Sequence, residues 1–227
     1  MSREAARLAR RHEKRQEDLI IADQERRVAR TEGHPVLGRA VNMVTPKVRS
    51  KPAPQHVRAW TTGAPGERAV GEALDRIPGI VVLHDRRKVG RRGNIDHVAI
   101  TPTGVWVIDS KRSPGKKIEY RDVGNWFRSD ERLYVDGRDR TKLVDDMASQ
   151  VRDVDEVCSD LLGATEVRPA LCFVDVTIGW FKKPFLVRGV LVLWRSELER
   201  VLTRSGPLDA FAIEQIARRI AERLPSA

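Results

Sequence analysis

Hydrophobic and polar positions alternate most regularly in the segment "NIDHVAITPTGVWVIDSK", residues 94–111. Apolar and β-branched residues dominate at 95–100 and again at 105–108, a pattern that is typical of two β-strands. The intervening "TPTG" has the composition of a turn, so we expect a hairpin with residues 101–104 as its loop. In that register, the two strands carry an aspartate each at their outer ends.

The predicted hairpin places Asp96 opposite Asp109, with their Cβ atoms roughly 5 Å apart. Like charges in directly opposite positions destabilise a sheet, so the pair needs an explanation. A divalent cation between the carboxylates is one, because hard ions such as Mg²⁺ or Mn²⁺ prefer oxygen ligands. Lys111 lies two residues beyond Asp109 and faces the same side of the strand, where it could stabilise a hydroxide or a phosphate. The alternative is a splayed strand end with three solvated polar residues.

Helical periodicity predicts two further polar side chains near this face. In "PGERAVGEALDRI", Glu67 lies about 70° from the centre of the apolar stripe and Glu72 about 150° away, so Glu67 can face the sheet. Glu67 is a possible third metal ligand, or it interacts with the helix dipole. In the later helix, Gln150 lies roughly 60° from the middle of the stripe. It is either a boundary residue or a contact to a phosphate or a metal-bound water.

The remaining pattern predicts alternating helices and strands. We expect helices at about 65–77, 142–162, 196–203 and 208–224. We expect strands at 80–84, a second hairpin around 125–137, and buried strands in "RPALCFVDV" and "VRGVLVLW". Strands enclosed by early, middle and late helices indicate an α/β fold in which a mixed β-sheet is flanked by helices on both faces.

Charge and proline divide the chain into three predicted parts. The first 58 residues hold 14 Lys and Arg against 7 Asp and Glu, a net charge of +7 out of +10 for the chain. Residues 1–32 are predicted to be a basic charged helix or a disordered arm, either bound to nucleic acid or simply solvated. Residues 33–58 contain four prolines and are predicted to be a linker. Residues 59–227 are predicted to form the folded domain.

Cationic residues flank the acidic pair on both sides in sequence. Such runs are usually solvated loops, but here they also suit a phosphodiester backbone drawn toward a metal site. The predicted nucleic-acid-binding residues are Arg86, Arg87, Lys88, Arg91, Arg92, Arg112, Lys116 and Lys117.

Several classes of protein and site are not supported by the sequence. No window approaches the roughly 18 apolar residues of a membrane span, so we expect a cytoplasmic protein with no membrane partner. The two cysteines, Cys158 and Cys172, have no metal-ligand spacing and are expected to be reduced. His97 alternates to the face opposite Asp96, so we expect a structural, hydrogen-bonded histidine. The sequence has no Ser-His-Asp order, glycine-rich phosphate loop or HExxH motif.

The segments "GAPGERAVGEAL", "VVLHDRR", "NIDHVAITPTGVWVIDSK" and "DDMASQV" together resemble the nuclease-related domain, the NERD family, over roughly residues 60–176. That family is placed in the PD-(D/E)XK nuclease superfamily, so the resemblance implies a restriction-endonuclease-like fold. It implies Glu67 as the helix carboxylate, Asp96 as the aspartate of the first motif strand, and Asp109 with Lys111 as the D-x-K pair. It also implies Gln150 as the polar residue of the following helix.

The sequence therefore predicts a Mg²⁺- or Mn²⁺-dependent phosphodiesterase that acts on DNA through attack of a metal-activated water, with Glu67, Asp96 and Asp109 as metal ligands. One alternative is a nucleic-acid-binding or DNA-processing accessory protein that keeps the fold without turnover. Another is a protein-interaction module whose charged N-terminal helix recruits a partner that the sequence does not identify.

Overall fold

The computed structural model describes residues 55–88, 90, 93–177 and 183–227. The chain separates into two units, Met1–Thr62 and Gly63–Ala227, and the second unit contains all the strands of the described residues. The predicted basic arm at 1–32 and most of the predicted linker at 33–58 lie outside the described residues. So do the predicted nucleic-acid-binding residues Arg91 and Arg92.

A six-stranded mixed sheet forms the centre of the second unit. Its strands, in their order across the sheet, are β1 Val81–Arg87, β2 Asn94–Thr101, β3 Gly104–Arg112, β7 Val167–Val174, β9 Val190–Trp194 and β8 Phe185–Val187. Strands β1 and β2, β2 and β3, and β8 and β9 pair antiparallel, whereas β7 lies parallel to both β3 and β9.

Helices cover both faces of this sheet, and the alternating side chains of β3 pack against the helices on either side. The helices are α1 Gln55–Leu74, α2 Lys142–Cys158, α3 Leu198–Leu202 and α4 Ala210–Arg223. Val105 and Val107 pack in the hydrophobic cluster that includes α2 and α4, whereas Trp106 and Ile108 pack in the cluster that includes α1 and α3. The predicted mixed sheet with helices on both faces is confirmed. In the described part of the chain, no helix is long and apolar enough to cross a membrane.

The predicted first hairpin is confirmed, with Val98 opposite Val107 and Ile100 opposite Val105. Its turn is tighter than predicted: Thr101 pairs with Gly104, so only Pro102 and Thr103 are unpaired. Gly104 adopts φ 131°, and a Cβ there would lie 2.8 Å from the carbonyl oxygen of Glu166. Glycine is therefore required at this turn by both its backbone conformation and the lack of space.

A second, three-stranded sheet is inserted between β3 and α2. It consists of β4 Ile118–Asp122, β5 Glu131–Val135 and β6 Arg138–Asp139, all antiparallel. The predicted hairpin around 125–137 is thus only partly correct. Leu133 and Val135 are buried in β5, but residues 125–128 form the turn that connects β4 and β5.

Two other elements differ from the sequence-based prediction. Helix α1 begins ten residues before Pro65 and ends at Leu74, where the amide of Ile77 bonds to the carbonyl of Leu74. The segment "VRGVLVLW" is the end of a hairpin rather than one strand, because Arg188 and Gly189 both adopt positive φ, at 49° and 80°. Two successive left-handed residues produce the tight turn between β8 and β9.

Candidate functional site

The candidate site lies where β2 and β3 separate. Their pairing ends at His97 opposite Ile108, after which β2 continues along β1 and β3 continues along β7. Asp96 and Asp109 are the next residues on the two strands. The amide N–H of Ser110 donates to Oδ2 of Asp96 at 2.9 Å, so the aspartate side chain replaces the next bond of the ladder.

Asp109 is buried and held by two neighbouring groups. It forms an ion pair with Lys111, and its Oδ2 accepts a hydrogen bond from Nε2 of Gln150 at 3.3 Å. This bond assigns the orientation of the Gln150 amide, because the reverse orientation would place an oxygen against the carboxylate. Oε1 of Gln150 is consequently buried without a hydrogen-bond partner. A water molecule or another donor at this position would satisfy it.

Glu67 reaches the site from helix α1, which packs on the opposite face of the sheet from α2. Gly66 permits this approach, because a Cβ at that position would lie 2.9 Å from Cβ of Arg112. Asp109 bonds to Gln150 of α2, and the charges of Asp109 and Glu67 both act on Asp96, so carboxyl groups carried by two strands and by a helix on the other face lie close together. Glu72 is exposed, as expected from its position on the helix.

Burial and mutual repulsion raise the pKa values of two of the carboxyl groups. The pKa of Asp96 rises to about 7, mainly because of burial and also because of the charges of Asp109 and Glu67. The Ser110 amide and the Lys111 ammonium oppose this rise. Burial also raises the pKa of Glu67, as do the charges of Asp85 and Asp109. The site therefore concentrates negative charge that a cation would relieve.

Asp85 is a carboxylate near the site that the sequence analysis did not identify. It lies opposite Asp96 in the β1–β2 register, between the pairs His84–His97 and Arg86–Ile95. Its backbone is left-handed, at φ 51°, and its Oδ1 accepts a hydrogen bond from Nδ2 of Asn94 at 2.7 Å. A left-handed residue inside a strand leaves no periodic signal, and the sequence predicted that β1 would end at His84.

Four side chains form a hydrogen-bonded row that ends at Ser110, the residue whose amide binds Asp96. Asp75 bonds to Nε2 of His84 at 2.9 Å, the Nδ1 atoms of His84 and His97 lie 2.8 Å apart, and Nε2 of His97 bonds to Ser110 Oγ at 3.1 Å. Burial, together with the charge of neighbouring His84, lowers the pKa of His97 to about 3. His97 is therefore neutral near pH 7, and its expected structural role is consistent with these contacts.

The cations predicted to bind nucleic acid have different surroundings. Arg112 pairs with Asp175, and Lys117 pairs with Glu119. Arg86 is directed inward, with Nη1 3.5 Å from the carbonyl oxygen of Leu224. Arg87 and Lys116 are exposed and form no ion pair within the described residues, whereas Lys88 is partly buried.

The point where β2 and β3 separate, called the fork, carries oxygen donors that suit a hard divalent cation. Among the residues that the structure describes, no group of three or more His, Cys, Asp and Glu side chains is arranged to hold a metal ion. Mg²⁺, however, is usually held by one or two carboxylates together with waters and substrate phosphates. Asp96 and Asp109 meet that requirement, and the unpartnered Oε1 belongs to the Gln150 amide whose Nε2 bonds to Asp109.

The raised pKa of Asp96 makes the stability of the metal-free protein depend on pH. The folded state holds the Asp96 proton more tightly than the unfolded state does. This tighter binding stabilises the fold fully below about pH 4, and the stabilisation is lost as the pH rises through 7. Asp96→Asn cannot ionise. From pH 5 to pH 8 in EDTA, we expect its unfolding free energy to rise relative to the parent by about 1–3 kcal/mol, measured by urea denaturation.

Asp155→Asn is the matched control, because Asp155 is an exposed aspartate on α2. Its unfolding free energy should follow that of the parent across the same pH range. An Asp96→Asn curve parallel to the parent would show that Asp96 is ionised normally in the folded protein.

Comparison with known proteins identifies a family for this chain. The family model described as nuclease-related domain matches residues 62–174, a range that contains Glu67, Asp96, Asp109, Lys111 and Gln150. No curated protein and no solved structure shows a significant match. The resemblance inferred from the sequence motifs is confirmed: the chain belongs to the nuclease-related domain (NERD) family.

Proposed function

We propose that this protein is a metal-dependent phosphodiesterase that hydrolyses DNA. The observation that carries the proposal is the fork between β2 and β3, where Asp96 and Asp109 adjoin Lys111 and Gln150. Two acidic groups, an amine and an amide converge there inside a nuclease-related domain. This combination can bind a cation, a phosphate and a water in adjacent positions.

Asp96 and Asp109 would hold the ion, Mg²⁺ or Mn²⁺, with Glu67 beside them. When bound, the ion would supply positive charge to the phosphate and lower the pKa of a water. The repulsion that raises the Asp96 pKa favours its binding, because a cation offsets the charge that burial and Asp109 make unfavourable.

The protein's own side chains would orient the reacting groups. The Ser110 amide holds the Asp96 carboxylate, and Gln150 Nε2 holds that of Asp109. Gln150 Oε1 can accept a hydrogen bond from the attacking water. The Lys111 side chain is 30% exposed, so its ammonium can reach from Asp109 to a phosphate oxygen and stabilise the charge that develops there.

DNA is the proposed substrate because the chain is basic and belongs to a nuclease-related family. The formal charge is +10, and the exposed Arg87 and Lys116 lie in the segments before and after the hairpin that carries the site. Phosphate contacts from such residues position a nucleic acid without reading its sequence.

A second function is a DNA-binding accessory protein without turnover. It is favoured by one observation: within the described residues, the site contains no arrangement of three acidic or histidine ligands for a metal. The Lys111–Asp109 ion pair would then be a permanent structural contact rather than one that opens for substrate.

Cleavage of DNA by the purified full-length chain distinguishes the two functions. We expect hydrolysis with Mg²⁺ or Mn²⁺ and none in EDTA. Asp109→Asn should lower the cleavage rate by at least about a hundredfold, because it removes one ion ligand and the partner of Lys111. Glu67→Gln should also lower the rate.

Exposed acidic residues supply the controls. Asp155 lies on α2 and Glu72 lies on α1. The variants Asp155→Asn and Glu72→Gln should both retain the parental rate of DNA cleavage. A parent protein that binds DNA but leaves it intact with either metal would favour the accessory function.

The N-terminal segment should contribute affinity more than catalysis, because residues 1–58 hold +7 of the +10 charge and none of the site residues. Removing residues 1–54 leaves α1 intact. We expect weaker DNA binding and a shallower dependence of the binding constant on salt, measured by fluorescence anisotropy. Cleavage at saturating DNA should change little. Equal losses of binding and of saturated cleavage would contradict this division.

A further inference from the structure

The turn between β4 and β5 presents two adjacent aromatic side chains to solvent. Trp126 is 94% exposed and Phe127 is 92% exposed, whereas the apolar residues of β5, Leu133 and Val135, are buried. Neither ring contributes to the described core. Exposed large aromatic groups of this kind commonly mark a binding surface.

The turn is held by its own hydrogen bonds. The backbones of Asn125 and Arg128 bond to each other in both directions, at 2.9 and 3.2 Å, and Asn125 Oδ1 accepts from the amides of Phe127 and Arg128. Asp122 accepts bonds from the Gly124 and Asp130 amides and from the Ser129 hydroxyl. Because the backbone is already ordered, a ligand that contacts the two rings loses little affinity to ordering of the loop.

The charges of the three-stranded sheet favour a polyanion. Most carboxylates of the three-stranded sheet are engaged within the protein: Glu119 pairs with Lys117 and Arg121, and Asp130 pairs with Arg132 and Arg188. Several exposed cations, in contrast, have no ion-pair partner within the described residues; these are Lys116, Arg128, Arg138 and Arg140. Arg128 directly follows the two aromatic residues.

The turn follows β4, which is the first strand after the one that carries Asp109 and Lys111. Strand β3 carries Asp109 and Lys111 and ends at Arg112, and β4 begins at Ile118. The five residues of β4 extend about 17 Å. Residues 113–117 join the strand that carries the site to the sheet that carries the turn.

We propose that Trp126 and Phe127 stack on unpaired bases of bound DNA while Arg128 contacts a neighbouring phosphate. This inference rests on the proposed function and deepens it, because it assigns single-stranded DNA segments as the substrate class. Bases in an intact duplex already stack on each other, whereas an unpaired base offers both faces to an exposed ring.

Binding of a fluorescent single-stranded oligonucleotide to the full-length chain tests the proposal. The assay is carried out in EDTA, so that affinity is measured without cleavage, and a duplex of the same sequence is compared. For Trp126→Ala/Phe127→Ala we expect affinity for the single strand to fall by at least about fivefold per ring, with a smaller loss for the duplex. The salt dependence should not change, because no cation is removed.

Two single variants separate stacking from charge. Arg128→Ala should lower the slope of the logarithm of the binding constant against the logarithm of salt concentration by about one. Phe211→Ala, which removes a 70% exposed aromatic ring on α4, should bind both oligonucleotides like the parent. Circular dichroism and melting of each variant check that the fold is retained.

The outcomes distinguish this inference from the proposed function. Loss of single-strand binding in the double variant supports base stacking even if the parent cleaves no DNA. Unchanged affinity of the double variant for single-stranded DNA overturns the base-stacking inference, even if the parent is an active nuclease. Binding to phosphatidylserine vesicles that depends on the two rings, with DNA affinity unchanged, would also overturn it and assign the turn to a membrane surface.

Discussion

The candidate site depends on the separation of β2 from β3 beyond His97 and Ile108. If the ladder continued, Asp96 and Asp109 would lie directly opposite each other as like charges within a sheet. Instead each strand remains paired with its other neighbour, and the Ser110 amide turns to the Asp96 carboxylate. The open end admits Glu67 from one face and Gln150 from the other, so helices on opposite sides of the sheet contribute to one site.

Much of the fold was predictable because its signals are local. Alternating residues at 94–111 predicted the hairpin and its register, and helical stripes predicted α2 and α4 within a few residues. The tighter turns were missed. Arg188 offers no sequence sign of its left-handed conformation, and the aromatic residues Trp126 and Phe127 suggested a strand although they form an exposed turn. Propensity for strands reflects packing against neighbours, which these two residues lack.

Sequence periodicity placed the site residues near one another, but it could not show how they meet. The phase of α1 correctly turned Glu67 inward and Glu72 outward, yet it gave no indication that α1 and α2 lie on opposite faces. The contribution of Asp85 was also hidden, since it depends on one left-handed residue inside β1. The pKa of Asp96, near 7, follows from three-dimensional burial and from two neighbouring carboxylates on separate elements.

The central claim is that the fork between β2 and β3 is a cation site whose repulsion a metal relieves. Thermal melting of the full-length chain with and without millimolar Mg²⁺ or Mn²⁺ tests it most directly, with Asp109→Asn melted alongside. We predict that metal stabilises the parent by roughly 2.7 kcal/mol at a hundredfold excess over its dissociation constant and leaves the variant unchanged. The account would be contradicted if neither metal changed the melting temperature of the parent, or if metal raised the melting temperature of Asp109→Asn as much as that of the parent.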